Sequence, residues 1–237
     1  MRSMHKTLTH TERGQSASMY LPHRASGAGV LLLHGYNSSK TGYLDYARAL
    51  AKQRSGVAAL AIDLAGHGSS GGNFNTLTPR EYLDDVVGAY NYLENSGEVD
   101  PARIGVVGAS FGGYLAALLA KEKKPKSLLL RAPAIYPDTM IDVARESVDK
   151  EEVEGFRKSL ASSTPTNLAI DTIRDFDGIV TIVESENDES IQTSVIDTYV
   201  NISKNGLHKI IPGAQHSLVG PEREVFKEIL LDWAADL

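Results

Sequence analysis

Cysteine is absent from this 237-residue chain, which excludes a disulfide framework and a thiol nucleophile and leaves the compartment open. Charge of one sign is lacking too. The 24 Lys and Arg stand against 30 Asp and Glu, interspersed, for a net charge of −6. Such a chain has no broad cationic face to neutralise phosphates, so neither nucleic acid nor an anionic membrane is an expected partner. The one basic run, Lys121 to Lys126, falls where a helix should end, and complementing the helix dipole accounts for it. No apolar run approaches the roughly 20 residues of a membrane helix, and Met1 to Leu8 has no signal-peptide core. A soluble, cytoplasmic protein is the expectation. No fixed-period repeat or low-complexity linker marks a boundary, so a single domain over residues 1–237 is expected. With no metal-ligand cluster, phosphate loop or nucleotide fingerprint, no cofactor is expected.

What the chain does contain is a change of period. Thr7 to Thr11 and Ala17 to Leu21 alternate around Glu12 to Gln15 as a hairpin. Val30 to Leu33 and Ala58 to Leu64 are instead continuous apolar runs, as in parallel strands covered on both faces, with a helix between them over Gly42 to Arg54. Thr78-Pro79-Arg80-Glu81 opens the next helix with an N-cap, a proline at N1 and a glutamate at N3. Strands at Ile104 to Val107, Ser127 to Leu130, Ile179 to Glu184 and His208 to Ile211 then alternate with helices from Gly113, Ser190 and Pro221. This pattern predicts an α/β fold with a mostly parallel central sheet and helices on both faces. Residues from Pro133 to about Leu168 break the alternation. They read as two short charged helices, Thr139 to Ser147 and Lys150 to Leu160, forming a small helical cap beyond the end of the strand at Leu130.

Gly108-Ala109-Ser110-Phe111-Gly112 fits G-x-S-x-G between a strand and a helix, the setting of a nucleophile elbow. A serine hydroxyl needs a general base and a carboxylate to orient it. His216 lies in the turn-rich loop Pro212 to Ser217 beyond a strand's carboxyl end, whereas His5, His10, His23 and His208 are less well placed. Of the acids crowding the end of the Ile179 strand, Asp188 lies on the loop facing the sheet edge and is preferred over Glu184 and Glu186. The backbone N–H groups of Phe111, after the nucleophile, and of Tyr36, in the turn His34-Gly35-Tyr36-Asn37, are the candidate oxyanion donors.

These motifs, with Asp63-Leu64-Ala65-Gly66-His67-Gly68-Ser69-Ser70 and Gly213-Ala214-Gln215-His216, resemble the serine-hydrolase branch of the α/β-hydrolase superfamily. The chain is similar to small carboxylesterases and to monoglyceride-lipase and feruloyl-esterase relatives. The resemblance covers nearly the whole chain and implies the α/β-hydrolase fold, with the order Ser110, Asp188, His216 that such enzymes use. It also implies that Asp63 and His67 belong to a structural loop. Relatives usually carry glycine where Ser185 stands and often a proline after the acid, two departures here. Serine at the elbow excludes the aspartate dehalogenases and epoxide hydrolases and the cysteine dienelactone hydrolases.

A metal-independent carboxylic ester hydrolase is therefore expected, acting through a serine acyl-enzyme. A cap of about 35 residues suggests short-chain, aryl or other small-molecule ester substrates, with Tyr36, Phe111 and Pro133 to Tyr136 as pocket walls. A peptidase or amidase of the same fold and a ligand-binding receptor on a hydrolase scaffold are the alternatives. Monomer and homodimer are both open.

Overall fold

A computed structural model describes residues 1–8, 14–24, 27–162 and 166–237. The continuous apolar runs become the middle of an eight-stranded sheet. β3 (Gly29–Leu33), β4 (Ala58–Ile62), β5 (Ile104–Ala109) and β6 (Ser127–Arg131) are buried at every position. With β1 (Arg2–Leu8), β2 (Gln15–Leu21), β7 (Ile179–Ser185) and β8 (Gly206–Ile211), the order is β1-β2-β4-β3-β5-β6-β7-β8. β1 pairs antiparallel with β2 and β2 with β4, while every other pair is parallel. The expected first strand began at Thr7, but β1 starts at Arg2. Thr9 to Arg13, including part of the expected turn, lie outside the described residues.

Alternate residues of each central strand feed two separate cores. Val30 and Leu32 pack with Tyr46 and Leu50 of α1 (Leu44–Lys52) and Phe226 and Leu230 of α7 (Pro221–Ala235). Leu31 and Leu33 face the other layer, with Tyr82 and Val86 of α2 (Pro79–Glu94) and Leu115 of α3 (Phe111–Lys123). The predicted capping box of α2 is formed: the Glu81 N–H donates to Thr78 Oγ1 at 3.3 Å and the Thr78 N–H to Glu81 Oε2 at 2.9 Å. No helix among the described residues is long and apolar enough to cross a membrane.

In the inserted segment, α4 (Lys150–Ser159) forms as expected. Thr139 to Ser147 does not form a helix but only 3-10 turns at Asp138–Met140 and Arg145–Ser147. Its backbone groups bond outward: the Arg145 N–H donates to Leu77 O, the Glu146 N–H to Asn75 O, and Ile141 O accepts from the Arg80 N–H. A further helix, α5 (Leu168–Asp175), carried too short an apolar pattern to be expected. Its N-cap Asn167 accepts from the Ile170 N–H and donates to Tyr136 O, tying it to the segment beyond β6. α6 (Thr193–Ile202) follows β7.

The loop after β4 is knotted on Asp63. Its carboxylate accepts from the Lys40 and Ser69 N–H groups at 2.7 and 2.9 Å and pairs with the Lys40 ammonium. A Cβ on Gly68 would stand 2.3 Å from that carboxylate, so glycine is required there. Burial works to raise the Asp63 pKa, but the bonds from Lys40 and Ser69 outweigh it and the pKa is lowered. Asp63→Ala is expected to cost about 3 kcal/mol, because it strands a largely buried ammonium. That corresponds to a fall in Tm of roughly 6–12 °C in a thermal melt. The folded pKa lies below the unfolded one, so this stabilisation is complete above about pH 4 and is lost as pH falls further. The gap between wild type and variant should therefore narrow in acid. A gap that stays constant down to pH 3 would remove the ion pair as its source.

Candidate active site

Ser110 sits between β5 and α3 at φ 53°, ψ −119°, a conformation suited to glycine, and is partly exposed. Four backbone bonds hold it there. Its N–H donates to Arg131 O at 3.0 Å, and its carbonyl accepts from Gly113, Tyr114 and Ala134 at 2.9, 3.1 and 3.0 Å. The turn can be this tight only because its flanks are bare: a Cβ on Gly108 would lie 2.2 Å from Gly112 O, and one on Gly112 2.5 Å from Leu33 O and His34 O.

The loops after β7 and β8 bring the other two candidates together. His216 Nδ1 lies 3.0 and 2.9 Å from the two Asp188 carboxylate oxygens, and both side chains are largely buried. Asp188 Oδ1 also accepts from the Ser190 and Ile191 N–H groups at 2.8 Å each. Burial pushes the Asp188 pKa up, but these hydrogen bonds, His216 first, more than reverse it and the pKa is lowered. The neighbouring acids have other partners. Glu184 meets His208, Glu186 accepts from the Gly213 N–H, and Glu189 accepts from the His216 N–H. Nδ1 on the carboxylate leaves His216 Nε2 for the nucleophile, the arrangement a general base needs. Ser110 Oγ and Nε2 share a cavity but form no hydrogen bond with each other, a contact that commonly tightens only with substrate bound.

Neither the Tyr36 nor the Phe111 N–H donates to an acceptor among the described residues, so both donors remain available beside Ser110. The Tyr36 turn is held by His34, whose Nδ1 bonds Gly35 O at 2.7 Å while Nε2 accepts from the Leu64 N–H at 3.0 Å. Burial above all lowers the His34 pKa to about 4, so this tie is made by a neutral ring at neutral pH. No group of three His, Cys, Asp or Glu side chains among the described residues is arranged to hold a metal ion.

A cavity of about 180 Å³ opens at this point, lined by Ser110 and His216 together with Tyr43, Tyr46, Arg131, Arg223 and Phe226. Its walls differ from the expected ones. Tyr36 reaches it, but Phe111 is fully buried and stacks on the Tyr36 ring at 3.9 Å, and Pro133 to Tyr136 do not line it. The inserted segment supplies no lining residue among those described; it places Arg145 over the Tyr36 ring and Arg157 over the Tyr136 ring. Arg131 and Arg223 went unnoticed in the sequence. The available signal was an arginine directly after the buried run Leu128-Leu129-Leu130. A larger cavity of about 610 Å³ lies between the end of α3 and α5, near the amino ends of β6 and β7, and no candidate catalytic residue lines it.

A family model described as serine aminopeptidase, S33 matches residues 24–174, more than half of the chain. That stretch contains Ser110 and the Tyr36 turn and stops short of Asp188 and His216. Among curated proteins, an uncharacterized protein of Mycobacterium tuberculosis is 33% identical over 116 residues, 48% of this chain and 40% of that protein. The chain thus matches less than half of that relative's length. Among solved structures, Est1E from Butyrivibrio proteoclasticus, with ferulic acid bound, superposes with a TM-score of 0.79 at 19% identity, covering 98% of both chains. The α/β hydrolase GrgF from Penicillium gives 0.72 at 16% identity, over 99% of this chain and 98% of its own.

Proposed function

This chain belongs to the serine aminopeptidase S33 family of α/β hydrolases, and from that membership we propose that it is a carboxylic ester hydrolase working through a serine acyl-enzyme. One observation carries the reading. An imidazole hydrogen-bonded through Nδ1 to a buried carboxylate opens on the same small cavity as a serine held at positive φ.

In this mechanism Ser110 Oγ attacks the acyl carbon while His216 Nε2 takes its proton. The developing oxyanion is held by the N–H groups of Tyr36 and Phe111, the latter also at the positive end of α3. The imidazolium, stabilised by Asp188, returns the proton to the leaving alcohol, and the bond from acyl carbon to alkoxy oxygen breaks. Water, deprotonated by His216, then attacks the acyl carbon, the bond from that carbon to Ser110 Oγ breaks, and the imidazolium returns the proton to Ser110 Oγ as the acid leaves. Two hydrogen-bond donors at the oxyanion are each worth about 3 kcal/mol of barrier lowering in enzymes of this chemistry.

The family description raises peptide bonds as substrates, and the lining of the cavity weighs against an aminopeptidase. Such an enzyme needs an acidic side chain for the α-ammonium of its substrate. Among the described residues no Asp or Glu lines this cavity, which carries two arginines instead. Its volume of about 180 Å³ is below the roughly 300 Å³ at which drug-sized pockets begin, favouring short-chain, aryl or otherwise small esters.

The test is a panel of 4-nitrophenyl esters from acetate to palmitate, run beside labelling with a fluorophosphonate and mass mapping of the modified peptide. Acetate and butyrate are expected to be turned over fastest, with the label on Ser110. A label elsewhere, or binding of esters without turnover, would replace the enzyme reading with that of a ligand receptor.

A further inference from the structure

The cavity beside Ser110 is cationic in a chain whose net charge is −6. Arg131 closes β6, in register with Ala109 of β5, and its carbonyl accepts from the Ser110 N–H, so its side chain is rooted one strand from the nucleophile. It is only 8% exposed. Nη1 donates to His216 O at 2.8 Å and reaches Ser185 Oγ at 3.4 Å, and Tyr43 lines the same cavity. All of these partners are uncharged. Arg223 enters from α7, donating through Nη2 to Gly42 O at 2.9 Å and lying over the Tyr46 ring at 5.0 Å. Neither arginine has a carboxylate within ion-pairing distance among the described residues.

A buried cation with no counter-charge is costly, and proteins of ordinary stability pair such groups. The five N–H donors of a guanidinium form a planar fork that matches a carboxylate. At Arg131 only part of that fork is occupied, on the wall of a small cavity that also holds the candidate nucleophile. We infer that the Arg131 and Arg223 pair, with the Tyr43 and Tyr46 phenols, forms a carboxylate subsite, and that the esters cleaved here carry a carboxylate a few atoms from the scissile carbonyl. This rests on Ser110 being the nucleophile. The anion supplies the missing counter-charge and fixes the carbonyl over Ser110, so its binding is expressed as orientation.

The experiment compares two isosteric pairs: monomethyl glutarate against methyl 4-carbamoylbutanoate, and 3-acetoxypropanoate against 3-acetoxypropanamide. Only the charge changes within each pair. At low salt, kcat/KM for the acid is expected to exceed that for the amide by about tenfold or more in at least one pair. The ratio should fall towards one in Arg131→Gln, and in Arg223→Gln if the first variant is poorly folded. Because the readout is a ratio, general damage to the site cancels. Hydrolysis of 4-nitrophenyl acetate by the wild type and Ser110→Ala is run alongside. Turnover that depends on Ser110, with acid-to-amide ratios at or below one in both pairs, overturns the subsite and leaves the esterase standing. Acetate turnover that survives Ser110→Ala overturns the nucleophile and the subsite with it. Competitive inhibition by inorganic phosphate but not by glutarate would also overturn the carboxylate assignment, in favour of a phosphorylated ester.

Discussion

Ser110→Ala is expected to lower kcat on 4-nitrophenyl acetate by at least about 10³-fold while the protein stays folded. The loss is this large because, in the proposed mechanism, the hydroxyl oxygen is the atom that forms the acyl bond. Without it, only the oxyanion donors and binding remain, and they act on an ordinary water. The same position carries a second, opposite expectation. At φ 53° and ψ −119° an L-residue is strained, at a typical cost of about 1–3 kcal/mol. Ser110→Gly removes the strain along with the hydroxyl, whereas Ser110→Ala keeps it. The glycine variant should melt above the alanine variant by a few degrees, roughly the shift 1–2 kcal/mol gives in a chain of this size. Both variants should be equally inactive. A chain with no use for the hydroxyl would gain stability from glycine at this turn, so an inactive but more stable Ser110→Gly links the strain to the chemistry. Residual turnover in either variant above one-tenth of wild type would remove Ser110 from its role.

The elbow was legible in the sequence because its constraints are local. Glycine at 108 and 112 is dictated by backbone atoms within a few residues or on the adjoining strand, and the apolar run before it is buried at every position. The central strands were legible for the same reason, since coverage on both faces leaves no polar position to blur the pattern. Asp188 could be singled out as the candidate because the end of β7 fixes which loop positions can turn towards the sheet edge, while Glu184, Glu186 and Glu189 have hydrogen-bond partners of their own.

The parts that were not legible depend on distant pairings. Thr139 to Ser147 has helical spacing, yet the backbone donors of Arg145 and Glu146 are claimed by Leu77 and Asn75, residues far away in the chain. α5 is too short to announce itself and is stabilised by burying Ala169, Ile170 and Ile173 in the core it shares with α3. The cavity is the clearest case. Tyr43 and Tyr46 come from the start of α1, Arg131 from the end of β6, and Arg223 and Phe226 from α7. Each has an ordinary local reading as a core aromatic or a helix-surface cation. Only the folding of α1 and α7 onto one face of the sheet assembles them beside Ser110. The candidate catalytic residues thus followed from local turns, whereas the lining of the cavity beside them followed from tertiary packing.

Asp188→Asn should cost about 10³–10⁴-fold in kcat with little change in fold. The Ser190 and Ile191 N–H groups both donate to Asp188 Oδ1, so the new amide will place its oxygen there and turn its NH2 towards His216. Facing a donor, Nδ1 must become an acceptor, and the proton moves to Nε2. Nε2 is the atom that has to accept the Ser110 proton, so the base is lost through its tautomer with the ring still in place. Glu184→Gln is the matched control, since Glu184 sits on the same strand end but bonds His208, and its effect on kcat should stay within about twofold. The two triad changes should not add. Once Ser110 is alanine there is no proton for His216 to take, and Ser110→Ala with Asp188→Asn should be no slower than Ser110→Ala alone. Additive losses would mean that Asp188 acts on something other than the serine's base. Full activity in Asp188→Asn, with loss in Glu184→Gln, would transfer the role to the neighbouring carboxylate.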